Sequence, residues 1–284
     1  MADKKRGDMS RVRTEYRVRI DETLEMTYEM DDFTDPWKEP ETVVLQHGNA
    51  HSSAFFYGWV PTIARHYRLI RPNLRGFGGS TLAPPNYRWS LEGFVSDLER
   101  FLDALGLDRV HYVGESSGGI IGWGLAYYHP ERLKTLTICT IPAKMKDLPF
   151  LKEHRQVEIL QQEGKTAFFA PFTSGRLGKA GDPAHAEWLI EEAKKVPAES
   201  IMGVFQAWAD LDLEPYLPKI QVPTLLLIGQ EHTEILTVQD YERIRDLMPQ
   251  AKLATFPGID GLVQFAAPER CAEAVLAFIE EQEA

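Results

Sequence analysis

Apolar residues along this chain follow two spacings in turn. Short continuous runs occur at Val43 to Leu45, Tyr67 to Ile70, Val110 to Val113, Leu133 to Ile138, Thr224 to Ile228 and Leu253 to Phe256. Runs of that length, apolar on both faces, are what strands buried inside a parallel sheet require. The stretches between them carry the helical period instead. Ser90 can cap a helix whose apolar positions Leu91, Phe94, Val95, Leu98, Leu102 and Leu105 recur every three or four residues, and Gly106 stands where that helix would stop. A second helix is predicted from just after Ser116 to about His129, where Pro130 ends it. A last one begins near Pro268, with Cys271, Val275, Phe278 and Ile279 on one face. Strands alternating with helices in this way predict a doubly wound α/β sheet with helices on both sides.

One region breaks the rhythm. From about Ala143 to Trp208 the chain offers no strand and is rich in Glu, Lys and Ala, with Phe168, Phe169, Phe172, Trp188, Phe205 and Trp208 at helical spacings. It reads as a helical cap inserted over the sheet. The expected organisation is therefore a core in two parts, residues 1–142 and 209–284, with the cap at 143–208.

Composition narrows the classes of function. The 284 residues suit one large α/β domain with an insertion, and 44% hydrophobic with 26% charged residues excludes a disordered or fibrous chain. Lys and Arg number 31 against 42 Asp and Glu, a net charge of -11, which repels phosphate backbones and anionic membrane surfaces. No nucleic-acid or membrane partner is expected. The opening segment MADKKRGDMSRVRTE is basic but has no apolar stretch behind it, and no apolar run reaches the roughly 18 residues needed to span a bilayer, so a cytoplasmic location is expected. Cys139 and Cys271 lie in apolar stretches without metal-ligand spacing and read as buried thiols.

The chemistry is concentrated around one pentapeptide. The strand at Val110 to Val113 runs into Gly114-Glu115-Ser116-Ser117-Gly118, a G-x-S-x-G sequence, and then into a helix. A serine held in a tight strand-to-helix turn needs small neighbours, and its hydroxyl then stands above the sheet beside a helix N-terminus that favours negative charge. Upstream, the strand at Val43 to Leu45 ends in Gln46-His47-Gly48-Asn49-Ala50. There the main-chain N–H of Asn49, together with that of Ser117, can face a developing oxyanion. His47, on the strand side of the turn, reads as a structural histidine that shapes the loop. Asp210 and Asp212 read as a helix cap and solvated surface charge before Pro215.

These motifs, with Arg75-Gly76-Phe77-Gly78-Gly79-Ser80, Tyr128-His129-Pro130-Glu131-Arg132 and the Pro257-Gly258 turn, make the chain resemble an α/β-hydrolase from about Arg13 to Phe278. It is most similar to the small capped esterases, lactonases, epoxide hydrolases and dehalogenases. The resemblance implies a mostly parallel eight-stranded sheet, a helical cap between strands six and seven, and no cofactor or metal. Because the elbow holds Ser116 and not an aspartate, it implies acyl transfer to serine, with a carboxylic ester or lactone of apolar body as substrate.

The same resemblance implies an acid after strand seven and a histidine after strand eight. This chain has His232 where the acid falls and Gly261 where the histidine falls. Four arrangements remain open. In the first, histidine and acid have exchanged loops, so that His232 reaches Ser116 and Asp260 orients it. Alternatively Glu231 supports His232, or the base is His51, His154 or His185, or the base has been lost. The leading expectation is a serine hydrolase with Ser116, His232 and Asp260 as catalytic residues and Asn49 and Ser117 as oxyanion donors. The alternatives are a hydrolase-like binding or receptor protein and a cofactor-free lyase on the same fold.

Overall fold

The computed structural model describes residues 14–146, 148, 155–165, 167–168, 182–231 and 236–283. Eight strands form one sheet: β1 (Glu15–Arg19), β2 (Glu25–Asp31), β3 (Thr42–Gln46), β4 (Arg68–Pro72), β5 (Val110–Glu115), β6 (Leu133–Cys139), β7 (Thr224–Gly229) and β8 (Lys252–Phe256). Their spatial order is β1-β2-β4-β3-β5-β6-β7-β8. The pairings β1 with β2 and β2 with β4 are antiparallel, and every pairing from β4 across to β8 is parallel. The mostly parallel eight-stranded sheet expected from the sequence is therefore present, with an antiparallel edge.

Each apolar run divides its side chains between two cores. Val43 and Leu45 of β3 face one layer and Val44 the other; Leu225 and Leu227 of β7 face the first, and Leu226 and Ile228 the second. Two-sided burial explains why these strands are continuous in sequence. The first layer is closed by a 3-10 turn at Ser53–Trp59, the short helix α1 (Val60–Ile63) and the C-terminal helix, which contributes Cys271, Val275, Phe278 and Ile279. The second is closed by α2 (Leu91–Ala104) and α3 (Ser117–Tyr128). Ser90 caps α2 by accepting the Gly93 N–H at 3.1 Å, and Gly106 stops it with φ +67°.

Between β6 and β7 the described residues form α4 (Arg155–Gln162), α5 (Pro183–Ala193) and α6 (Ala198–Trp208). The C-terminal part adds α7 (Val238–Leu247), α8 (Val263–Ala266) and α9 (Pro268–Glu283). Helix α6 is tied to two core loops and to the first residue of α3. Ser200 Oγ donates to Gly76 O at 2.9 Å, Asn49 Nδ2 donates to Ile201 O at 3.1 Å, and Trp208 Nε1 donates to Ser117 Oγ at 2.9 Å. No helix among the described residues is long and apolar enough to cross a membrane.

Candidate active site

Ser116 occupies the single residue between the end of β5 and the start of α3, with φ 49° and ψ -122°. A side chain at positive φ costs on the order of 1–3 kcal/mol and persists only where its surroundings enforce it. The enforcement is visible. A Cβ at Gly114 would lie 2.3 Å from Gly118 O, and one at Gly118 would lie 2.3 Å from Gln46 O, so both glycines are required for β5, α3 and β3 to meet. The Ser116 N–H donates to Cys139 O at 3.1 Å, and its carbonyl accepts the Gly119 N–H at 2.8 Å.

Four non-glycine residues among those described have positive φ: Ala50, Asn86, Ser116 and Thr140. Three of them, Ala50, Ser116 and Thr140, line one cavity at the carboxyl ends of the strands. Its other walls are largely apolar, with Met145, Leu148, Phe168, Leu189, Phe205 and Trp208 contributed by the segment between β6 and β7. Asn49 and Ser117 also line it, and no acceptor among the described residues takes either main-chain N–H. The N–H of Ser117 is in any case one of the first donors of α3, which no intrahelical carbonyl can satisfy.

Beneath Ser116 lies Glu115, a completely buried carboxylate. Its Oε1 accepts the Gly48 N–H at 2.5 Å and meets His51 Nδ1 at 2.5 Å, and its Oε2 accepts Gln264 Nε2 at 3.3 Å. Burial alone would raise its pKa, but the charge and hydrogen bond of His51, with the Gly48 N–H, outweigh that and lower it. The Gln264 amide is itself fixed, because Thr140 Oγ1 donates to Gln264 Oε1 at 3.1 Å. His51 and Gln264 are both on the cavity wall.

The remaining histidines divide by location. His47 is fully buried, its Nδ1 bonded to Gly48 O at 2.8 Å and its Nε2 accepting the Leu74 N–H at 3.1 Å. Burial lowers its pKa to about 4, so it is a neutral strut of the loop. His185 packs against Tyr57 and Trp188, away from the cavity wall. His154 and His232 lie outside the described residues. Asp260 sits in the loop after β8, where its Oδ1 accepts the Gly261 N–H at 2.6 Å, and it is not on the described wall of the cavity. That loop does meet the one after β7: Glu231 N–H donates to Ile259 O at 3.0 Å. Asp212 accepts the Glu214 N–H and pairs with Lys146 at 2.8 Å, a surface arrangement.

Glu115 and Gln264 were not picked out from the sequence. Glu115 is the unspecified position of G-x-S-x-G, and its partner His51 is 64 residues away. One signal was available: a carboxylate inside a run predicted to be buried needs donors, and the neighbouring loop offers a histidine.

Among the described residues one group carries metal-ligand atoms, Glu41, His111 and Glu283, all within 4.8 Å of one another. It lies toward the opposite end of β5 from Ser116. The Lys134 ammonium pairs with Glu41 and supplies the positive charge an ion would bring, while His111 Nδ1 is held by Thr135 Oγ1 at 3.0 Å. An ion-pair cluster accounts for it.

Comparison with known proteins bears on the family and the fold. The sequence model of the alpha/beta hydrolase fold matches residues 41–179. A protein from Caulobacter segnis named as the carbamate hydrolase RutD is 34% identical over 223 residues, 74% of this chain and 80% of its own length. A thermophilic esterase from Thermogutta terrifontis superposes with TM-score 0.82 at 25% identity, covering 95% of this chain and 100% of that one. An enol-lactonase from Burkholderia xenovorans shares the fold with TM-score 0.82 at 21% identity, over 93% of this chain and 99% of its own.

Proposed function

This chain belongs to the α/β-hydrolase fold family, and from that membership we propose that it is a serine hydrolase cleaving a carboxylic ester or lactone with an apolar body. Ser116 Oγ attacks the carbonyl carbon, and the main-chain N–H groups of Asn49 and Ser117 receive the oxyanion that forms. Collapse of that intermediate expels the alcohol and leaves an acyl group on Ser116, which water then removes. Asn49 is held in place from above, since its side-chain amide donates to Ile201 O on α6.

The observation that carries this reading is the conformation of Ser116. A strained serine, enforced by backbone contacts at Gly114 and Gly118, opens onto a cavity beside two N–H groups that no described residue accepts. Strain of that kind concentrates at functional sites. The apolar lining from Met145, Phe168, Leu189 and Phe205 supports a hydrocarbon-rich substrate, with helices α4 to α6 acting as the cap that excludes water. The same attack on a carbamate carbonyl is chemically equivalent, the activity named for the Caulobacter relative.

The test is labelling with a fluorophosphonate probe, read by intact mass and peptide mapping, alongside hydrolysis of p-nitrophenyl esters of increasing acyl length. One label per chain on Ser116, absent from Ser116→Ala, is the expected result, with rates rising from acetate to longer acyl chains. An unlabelled wild-type protein that still binds apolar esters would point to the receptor-like alternative and overturn the hydrolase reading.

A further inference from the structure

We infer that His51, oriented by the buried Glu115 carboxylate, is the group that takes the proton from Ser116 and returns it to the leaving alcohol. The inference rests on the reading of Ser116 as nucleophile and assigns the proton transfer that this reading needs.

Three arrangements of side chains lead to it. First, the hydrogen on Nδ1 is set by its partner. Glu115 receives only donors: the Gly48 N–H, the Gln264 amide and His51 Nδ1. A carboxylate surrounded in this way is ionised and can only accept, so Nδ1 carries the hydrogen, and in the neutral ring the lone pair is then on Nε2. Second, the ring cannot turn away. It stacks on Phe55 with centroids 4.3 Å apart and planes 23° apart, and it meets the edge of Phe265 at 5.4 Å. Third, its free nitrogen has somewhere to act. No described residue bonds Nε2, and His51 shares the cavity wall with Ser116. Its side chain is 19% exposed while that of Glu115 is fully buried, so the imidazole bridges the interior to the cavity.

The pair thus supplies what a serine base requires, an acid on one ring nitrogen and a free lone pair on the other. Its chain positions are unlike those the family resemblance implies. The acid immediately precedes the nucleophile, the histidine comes from the loop after β3, and Gly261 occupies the place where a histidine would stand. From the segment after β8 it is Gln264 that reaches the pair, donating to the same carboxylate. Among the described residues the other titratable groups beside the pair are His47, kept neutral by burial, and Cys139, whose thiol burial pushes up.

The cycle balances. Nε2 accepts the Ser116 hydroxyl proton as Oγ bonds to the carbonyl carbon. It gives that proton to the alkoxide as the carbon–oxygen bond of the ester breaks. Water then donates a proton to Nε2 while its oxygen attacks the acyl carbon, and Ser116 leaves with that proton, giving acid and alcohol.

Full-length wild type, His51→Gln, His51→Ala, Glu115→Gln and Ser116→Ala are compared for fluorophosphonate labelling rate and p-nitrophenyl butyrate hydrolysis. His51→Gln should slow both by about 10²- to 10⁴-fold, the range general base catalysis supplies. Free imidazole should restore part of the rate of His51→Ala, which a purely structural role would not allow. Glu115 is a positioning residue, so Glu115→Gln should lower kcat by about tenfold or more with KM little changed. Should a variant fail to fold, inactivation of wild type by diethyl pyrocarbonate decides, because it must track carbethoxylation of His51. Labelling at wild-type rate in both His51 variants overturns the inference and leaves the Ser116 reading standing. So does loss of rate in His232→Ala without loss in the His51 variants. A wild-type protein that neither labels nor hydrolyses overturns the underlying reading itself.

Discussion

Gly118→Ala isolates the geometry on which the proposed oxyanion site depends. The added Cβ would lie 2.3 Å from Gln46 O, 2.9 Å from Gln46 C and 2.9 Å from His47 O, all main-chain atoms that cannot rotate aside. An ordinary contact needs at least about 3.4 Å, so β3 and the start of α3 must separate by roughly 1 Å. Gly118 stands just beyond Ser117, and Gln46 and His47 just before Asn49, so that separation acts directly between the two N–H groups. Overpacking of this kind costs about 1–3 kcal/mol, which for a chain of this size lowers Tm by roughly 2–5 °C. Misplacement by 1 Å costs on the order of 10²-fold in rate. The control is Gly106→Ala, where nothing lies within 4 Å but φ is +67°, so about 1 kcal/mol of stability should go without loss of rate. Fluorophosphonate labelling and ester hydrolysis are measured well below both midpoints, with urea melts in parallel. A Gly118→Ala protein labelling at wild-type rate, or a Gly106→Ala protein slowed as much, would refute the argument.

Three further outcomes follow from burial and charge. His47 falls from 6.5 to about 4 on burial, so the fold holds its neutral form. Its contribution is complete above the unfolded pKa of 6.5 and lost as pH falls toward 4, a decline of roughly 3 kcal/mol that urea midpoints between pH 7 and 4 should show and that should flatten in His47→Gln. Asp97→Ala should remove about 3–5 kcal/mol, because it leaves the buried Arg75 guanidinium without its two bonds of 2.8 and 2.9 Å; chemical denaturation checks this. Trp208→Phe deletes the indole donor to Ser117 Oγ and should cost about 1 kcal/mol by the same measurement, with little change in the far-ultraviolet dichroism.

The parallel strands could be read from sequence because each is buried on both faces. Thr224–Gly229 is apolar without interruption since Leu225 and Leu226 enter different cores. The antiparallel edge could not be read in the same way. In β1, Glu15–Arg19, every residue but Val18 is exposed, and in β2 polar Thr27 and Glu29 are buried by pairing with Ser80 and Ser53 instead of by apolar burial. The elbow was legible because its strand, glycines and helix are contiguous. The pair at its base was not, since His51 and Glu115 are brought together only when β3 lies beside β5, and sequence spacing carries no record of that register.

The three bonds that fasten α6 to the core bear on how a substrate reaches Ser116. They run from Ser200, Ile201 and Trp208 to Gly76, Asn49 and Ser117, two loops and the first residue of α3. Swinging this helix outward would break all three together, and at about 1 kcal/mol net each the open form would be held below roughly one molecule in a hundred. Breaking the middle bond would also release Asn49 from the carbonyl that steadies it. Traffic that used this door would therefore loosen the chemistry each time it passed, so admission and catalysis are better separated by a passage that leaves α6 closed.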